Sequence, residues 1–303
     1  MKAVVLDEQR RLELRDVPEP EPGDGQVVVR VRAAAVNFAD VLVREGRYPQ
    51  PPPLPYVPGS EIAGDTEDGR RVLAFVRIEG GGFAERAVAD SGWTFDLPDG
   101  ASYEQGAAFL LAFLTAWIPL TRQVPLRPGA RVLVTAAAGG VGTAGVQVAR
   151  ALRAEVVGAV GSEEKLDVVR GLGAEAVLYD ALDEVEPFDV ILDQVGGDLF
   201  AASLRRLHPL GAVVGIGFAG GAWQPLDPAL LVGRNVAACG FYLGRFMKLR
   251  PDVVRAAAGE LLERWTAGEL APVVGATFPL ERADEALRSV AERRSTGKVV
   301  LLP

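Results

Sequence analysis

The chain has 303 residues, 49% hydrophobic and 24% charged, with 35 glycines and 21 prolines, a composition that excludes disordered and fibrous classes. At roughly 100–200 residues per domain the length predicts about two domains, each with its own core. With 32 basic and 40 acidic residues the net charge is −8, which disfavours nucleic-acid binding, since neutralising phosphates takes a basic surface.

In chain order, the start (MKAVVLDEQRRLELRD) turns charged at Asp7 and lacks the apolar core of an export signal, so a cytoplasmic protein is expected. Short strands rich in Val and Ala are predicted at Lys2–Leu6, Gln26–Val36, Arg70–Val76 and Phe83–Ala89, separated by Pro and Gly turns. Asn37–Gly46 has helical spacing, with Phe38, Val41 and Leu42 on one face. The proline-dense segment Tyr48–Pro58 predicts an extended loop. Gly106–Leu120 is the longest apolar stretch. It is shorter than the roughly 20 residues a membrane-spanning helix needs and carries Pro119, so it predicts a buried helix.

Beyond Leu97 the pattern changes. Six apolar β-type runs are predicted at Arg131–Thr135, Glu155–Val160, Ala176–Tyr179, Asp189–Asp193, Ala212–Ile216 and Val236–Tyr242. Helical stretches such as Val141–Leu152 and Glu163–Leu172 bridge most of them. Strands alternating with helices imply crossover units and a parallel sheet covered on both faces. A helix (Asp252–Ala267), a strand near Val273–Phe278, a helix (Arg282–Arg293) and a strand (Lys298–Leu302) complete the chain, and these are expected to return to the first domain. The single cysteine, Cys239, permits no intrachain disulfide. With the single histidine, His208, it cannot supply the clustered ligands of a zinc site, and both are expected to pack structurally.

The strongest motif is Thr135-Ala-Ala-Ala-Gly139-Gly140-Val141-Gly142, which follows a strand and opens a helix, as a dinucleotide fingerprint does. Against G-x-G-x-x-G, Ala137 takes the first position and Gly139 and Gly142 the others. Gly139 would let the backbone approach a pyrophosphate, and Gly142 would let helix and strand pack closely. The phosphate charge would rest on unpaired amides at the helix start. At the end of the second strand, Gly161-Ser162 is small and uncharged, and Lys165 lies one turn on. An Asp or Glu there would repel a 2′-phosphate, whereas Ser162 can donate to one and Lys165 can neutralise it. Alternatively Ser162 caps the helix, with Glu163 and Glu164 answering its dipole and Lys165 solvated.

Ala35-Val-Asn37-Phe-Ala-Asp40, Gly46-Arg-Tyr48-Pro49, Pro58-Gly59-Ser-Glu61-Ile-Ala-Gly64, Leu114-Thr115-Ala116, Ala136–Gly142, Asp193–Gly197 and Gly297-Lys-Val-Val-Leu-Leu span nearly the whole chain. In these stretches the sequence resembles the medium-chain dehydrogenase/reductases, and within them the zinc-free quinone oxidoreductases that include zeta-crystallin. The resemblance implies an α/β protein, a Rossmann doubly wound parallel sheet (98–243) plus a GroES-like, mostly β catalytic domain (1–97 and 244–303). It also implies a cleft between the two for NADPH and substrate, and a homodimer formed through the cofactor domains.

Zinc-dependent members carry a cysteine where this chain has Asn37 and a histidine where it has Ser60, and the lobe that holds structural zinc is missing. Without a metal to stabilise a developing alkoxide, the acceptor must spread the arriving charge itself, as a quinone or a conjugated enone does. The expectation is an NADPH:quinone reductase, alternatively an enone or alkenal reductase. A non-catalytic crystallin-like binding protein is the reading from another class.

By resemblance, Asn37, Phe38, Ala39 and Asp40 approach the nicotinamide end, Tyr48 borders the substrate, and Thr115 touches the cofactor. Val195, Phe218, Phe241, Tyr242 and Leu243 follow strand ends on the cofactor side, and Arg294 joins Lys165 at the 2′-phosphate. The family pattern places a tyrosine at the end of the third strand, and Tyr179 falls one position early.

Overall fold

The computed structural model describes residues 1–76, 81–223 and 225–303. β1 (Lys2–Leu6) and β2 (Leu12–Asp16) form an antiparallel hairpin. β3 (Gln26–Val36) leads through α1 (Phe38–Arg44) to β4 (Glu61–Thr66), β5 (Arg71–Val76) and β6 (Arg86–Asp96). At 11 residues β3 is long enough to serve several neighbours. It pairs with β6 through its first half and with β4 through its second, so β3 to β6 close on themselves. Val29, Val31, Ile62, Val72 and Phe83 fill the interior, each at most 3% exposed. The strand expected at Phe83–Ala89 begins three residues later and runs to Asp96. Past Asp90 it leaves β3 and pairs β5, bending as it changes partner.

The apolar stretch expected as one helix is two, α2 (Tyr103–Ala107) and α3 (Leu110–Ile118). Then follow β7 (Arg131–Val134), α4 (Gly140–Ala151), β8 (Glu155–Val160), α5 (Leu166–Gly171), β9 (Glu175–Leu178) and β10 (Phe188–Asp193). α6 (Gly197–Arg205), β11 (Leu207–Gly215), α7 (Pro228–Arg234), β12 (Ala237–Gly240), α8 (Leu243–Leu249) and α9 (Pro251–Thr266) complete this part. Its six strands form one parallel sheet in the order β12-β11-β10-β7-β8-β9. This is the doubly wound Rossmann order, whose direction reverses between β7 and β10, where ligands of such sheets bind. Leu133, Val157, Ile191 and Val213 are fully buried, as expected of strands covered on both faces.

The chain ends with β13 (Val274–Pro279), α10 (Ala283–Ala291) and β14 (Lys298–Leu302), where β14 pairs antiparallel with the end of β3. Contacts divide the molecule into residues 1–110 with 271–303 and residues 111–270. The expected boundaries at 97/98 and 243/244 therefore move. α2 stays with the first unit because Tyr103 donates to Asp65 and Gly106 lies against Ala63 and Leu73. α9 stays with the second, where Glu260 accepts from the Trp117 indole (2.9 Å) and pairs Arg122 (2.8 Å). Only β13, α10 and β14 return to the first unit.

Candidate active site

The glycine loop leaves the central strand β7 and opens α4, with Gly139 as its N-cap. A Cβ built on Gly142 would lie 2.0 Å from the Ala136 carbonyl oxygen and 2.7 Å from the Ala137 Cα, so only glycine lets α4 start this close to β7. Gly139 is less crowded, since its Cβ would meet only the Ala136 oxygen, at 3.2 Å. The first turn of a helix has no internal acceptors for its amides, so Gly140, Val141 and Gly142 offer their N–H groups at the open end of the sheet.

β10 ends beside this loop, across the switch point. The Thr135 hydroxyl donates to Asp193 Oδ1 (2.9 Å), and Asp193 also accepts from the Gly196 N–H (2.8 Å) and the Val195 N–H (3.4 Å). Gln194 returns the contact twice, its N–H to Thr135 Oγ1 (3.0 Å) and its Nε2 to the Thr135 carbonyl (2.9 Å). Asp193 and Thr135 are wholly buried. Burial pushes the Asp193 carboxyl above its ordinary range, against the pull of the Gly196 amide and the Thr135 hydroxyl. This lattice fixes the turn carrying Val195. Asp193–Gly197 is among the stretches that carry the family resemblance, but sequence reasoning gave Asp193, Thr135 and Gln194 no role; a carboxylate closing an apolar central strand was the available signal.

Around the second and third strands, Tyr179 is half-buried, and its hydroxyl accepts the Ala136 N–H (3.2 Å). Its ring flanks Gly161, where a Cβ would approach it to 3.3 Å. The tyrosine is thus tied to the glycine loop's backbone. Ser162 does not cap the following turn through its side chain, and its hydroxyl donates to Glu164 (3.2 Å). Lys165 is half-buried at the end of that turn. Phe218 packs against Trp223 with ring centroids 4.9 Å apart and the rings tilted by 44°. Phe241 and Leu243 are buried and Tyr242 is half exposed, while Thr115 is buried on α3. Arg294, in the first unit, is exposed and paired with Glu292 (2.5 Å). His208, expected to pack structurally, is exposed, and Cys239 is half-buried on β12.

The first unit gathers a second polar centre. Val299 faces Val36 in the β14–β3 register, which brings Lys298 across from Asn37, and Ala34 faces Ile62, which brings Glu61 level with Ala35. The Lys298 ammonium donates to Asn37 Oδ1 (2.5 Å) and to Glu61 Oε2 (3.2 Å). Lys298 is 5% exposed, Asn37 6% and Glu61 0%. Asp40 accepts the Asn37 backbone N–H (2.8 Å) and the Gly59 amide, so it holds the start of α1. Burial pushes the Asp40 carboxyl up to about 6, against the pull of those amides and of Lys298. Phe38 and Ala39 on α1 and Tyr48 beyond it are half-buried. Lys298 and Glu61 escaped sequence reasoning because Asn37, which they surround, lies far from both along the chain, 261 positions from Lys298.

The alcohol dehydrogenase GroES-like domain model matches residues 23–99, and the zinc-binding dehydrogenase model matches residues 172–301. A quinone oxidoreductase-like protein 2 homolog of Nematostella vectensis is 36% identical over 92% of this chain and 82% of its own length. Among solved structures, the quinone oxidoreductase of Thermus thermophilus, also determined as its complex with NADPH, is 42% identical with a TM-score of 0.93 over the whole of both chains. A mycobacterial protein solved with NADPH is 31% identical with a TM-score of 0.91, again over both full chains. This chain belongs to the quinone oxidoreductase family of the medium-chain dehydrogenase/reductases.

One matched model of the family is named for zinc, and the donors here do not suit it. Asn37 and Ser60 stand where zinc-dependent members carry a thiolate and an imidazole, and of the neighbouring carboxylates Glu61 is engaged by Lys298 and Asp40 by backbone amides. Among the described residues no group of three or more His, Cys, Asp or Glu could hold a metal ion. A dinucleotide cradle of the quinone oxidoreductases does fit, because Gly139 has a single close neighbour at the start of α4 and the first-turn amides of that helix have no acceptors within it.

Proposed function

We propose that this protein is an NADPH-dependent oxidoreductase that reduces quinones without a metal, acting in the cytoplasm as a homodimer. Bound NADPH supplies the hydride. The α4 amides and the glycine backbone would hold its pyrophosphate, and Ser162 and Lys165 its 2′-phosphate. The Thr135–Asp193–Gln194 lattice keeps the Val195 turn in place against that cradle. In the first unit, the Asn37 amide is assigned to the acceptor's oxygen, where negative charge gathers as hydride arrives. Asp40 does not reach reacting atoms in this account. It holds the α1 start through two backbone amides. A quinone tolerates the lack of a Lewis acid because it becomes aromatic on reduction, so positioning and exclusion of water suffice.

The observation that carries this reading is Asn37 with its amide oxygen held by Lys298, at a position where zinc-dependent relatives carry a ligand. The dimer rests on β12, which pairs only with β11 among the described strands and leaves its outer edge for a second copy. NADPH oxidation against a panel of quinones, enones and simple ketones, with and without exhaustive chelation, tests the proposal. Turnover should be fastest with quinones, absent with ketones and unchanged by chelation. Faster turnover with enones would move the substrate class, and loss of activity restored by zinc would overturn the mechanism.

A further inference from the structure

An ammonium group has three donors and no acceptor, so whatever end of an amide faces it must be the oxygen. Lys298 faces Asn37 at 2.5 Å and both are buried, which makes the reversed orientation of the Asn37 amide unfavourable. Oδ1 is turned to Lys298, and Nδ2 is turned the other way, making only a long contact to the Ala35 carbonyl (3.4 Å). Glu61 completes the arrangement, since it holds the ammonium from a different strand at 3.2 Å.

We propose that Lys298 is a positioning residue that sets the polarity of the Asn37 amide, so that Asn37 presents a donor, never an acceptor, to the substrate oxygen. The inference rests on the assignment of Asn37 to the acceptor's oxygen. Three strands of the first unit's sheet serve the device: β14 supplies the ammonium, β4 its counter-ion, and β3 ends at the amide it orients. Without Lys298 only the Asp40 backbone N–H of the α1 capping box still holds the oxygen end, and the flipped amide becomes populated. A flipped amide aims its carbonyl at an oxygen that is gaining negative charge, which opposes the reaction where the native orientation assists it. Binding of the neutral quinone changes little, so the effect falls on turnover.

Removing Lys298 alone breaks its buried ion pair with Glu61, so the test removes both charges in the double variant Glu61→Gln/Lys298→Met. The expected result is a fall in kcat of roughly a hundredfold to a thousandfold, the range for losing an oriented donor. KM for the quinone and NADPH affinity should stay within about threefold. Asn37→Ala should cost about the same, and the triple variant no more, because both changes remove one interaction. A double variant that folds and turns over at the wild-type rate, while Asn37→Ala is slow, overturns the proposal.

Asn37 and Asn235 are the only asparagines, so selective 15N labelling of the wild-type protein gives two side-chain NH2 signals, readable without cofactor or turnover. The Asn37 pair should show contacts to the Ala35 side and none to the Lys298 side-chain protons. Strong contacts to Lys298 would show the amide reversed and overturn the proposal even if the variant does not fold. A wild-type protein inactive with every acceptor, yet showing the expected contacts, would instead remove the functional reading and leave the orientation standing.

Discussion

The two units each bury a polar centre next to a strand end, and they do it by opposite means. In the Rossmann unit, Asp193 is a lone carboxylate satisfied by neutral donors, the Thr135 hydroxyl and the backbone amides of Val195 and Gly196. In the first unit, Lys298 bonds Glu61 and its charge also acts on Asp40, which relies on backbone amides as well. The first arrangement fixes a turn and leaves the backbone of the glycine loop open. The second fixes a side-chain amide and brings charged groups into the interior. Backbone cradles suit a ligand recognised by its phosphates, whereas a charged cluster suits one group that must point in one direction.

The contrast can be broken at either end. The largest effect should come from Gly142→Val. Its Cβ would lie 2.0 Å from backbone, and α4 must move to admit it, costing more than about 4 kcal/mol. Chemical denaturation or failure to recover folded protein would show this. Lys298→Met alone should destabilise by about 3–5 kcal/mol, because it leaves Glu61 buried without its counter-ion. The double variant with Glu61→Gln should recover much of that loss.

Asp40 gives the pH dependence. Its carboxyl is held near 6 in the folded protein and titrates near 3.8 when unfolded. Between those values the folded state keeps a proton the unfolded chain has released. Its contribution to stability therefore falls as pH rises from about 4 to 6, by up to about 3 kcal/mol. Melting curves across that window should lose this slope in Asp40→Asn. The smallest effect is expected for Thr135→Val, about 1–3 kcal/mol, since Asp193 keeps its backbone donors while Gln194 loses an acceptor. A loss as large as that of Lys298→Met would erase the distinction between the two centres.

Much of the fold could be read along the chain where burial alone decides. Lys2–Leu6, Gln26–Val36, Glu155–Val160 and Lys298–Leu302 form strands with the expected limits, because each is a run of Val, Ala or Leu that has to leave water. β2 (LELRD) was not expected, since its charged, half-exposed residues are held in a strand by pairing with β1. The glycine loop was legible as a motif because its requirements are local: a strand, a tight turn and a helix start. The Lys298 cluster was not. Its three strands are distant in sequence and meet only through sheet register, and a lysine at the head of an apolar strand gives no sign of what it faces. The boundary near residue 270 was hidden for a similar reason, because α9 is placed by contacts with Trp117 and Arg122.

The central claim is that a phosphate-bearing cofactor lies on the bare backbone of the glycine loop. Gly139→Val tests it most directly, because the residue has one close neighbour and its substitution should leave the fold largely intact. Titration of NADPH fluorescence, with melting curves on the same samples, should show binding to the wild-type protein and none to the variant, at melting temperatures within a few degrees. A folded Gly139→Val protein that binds NADPH with near wild-type affinity would contradict the account.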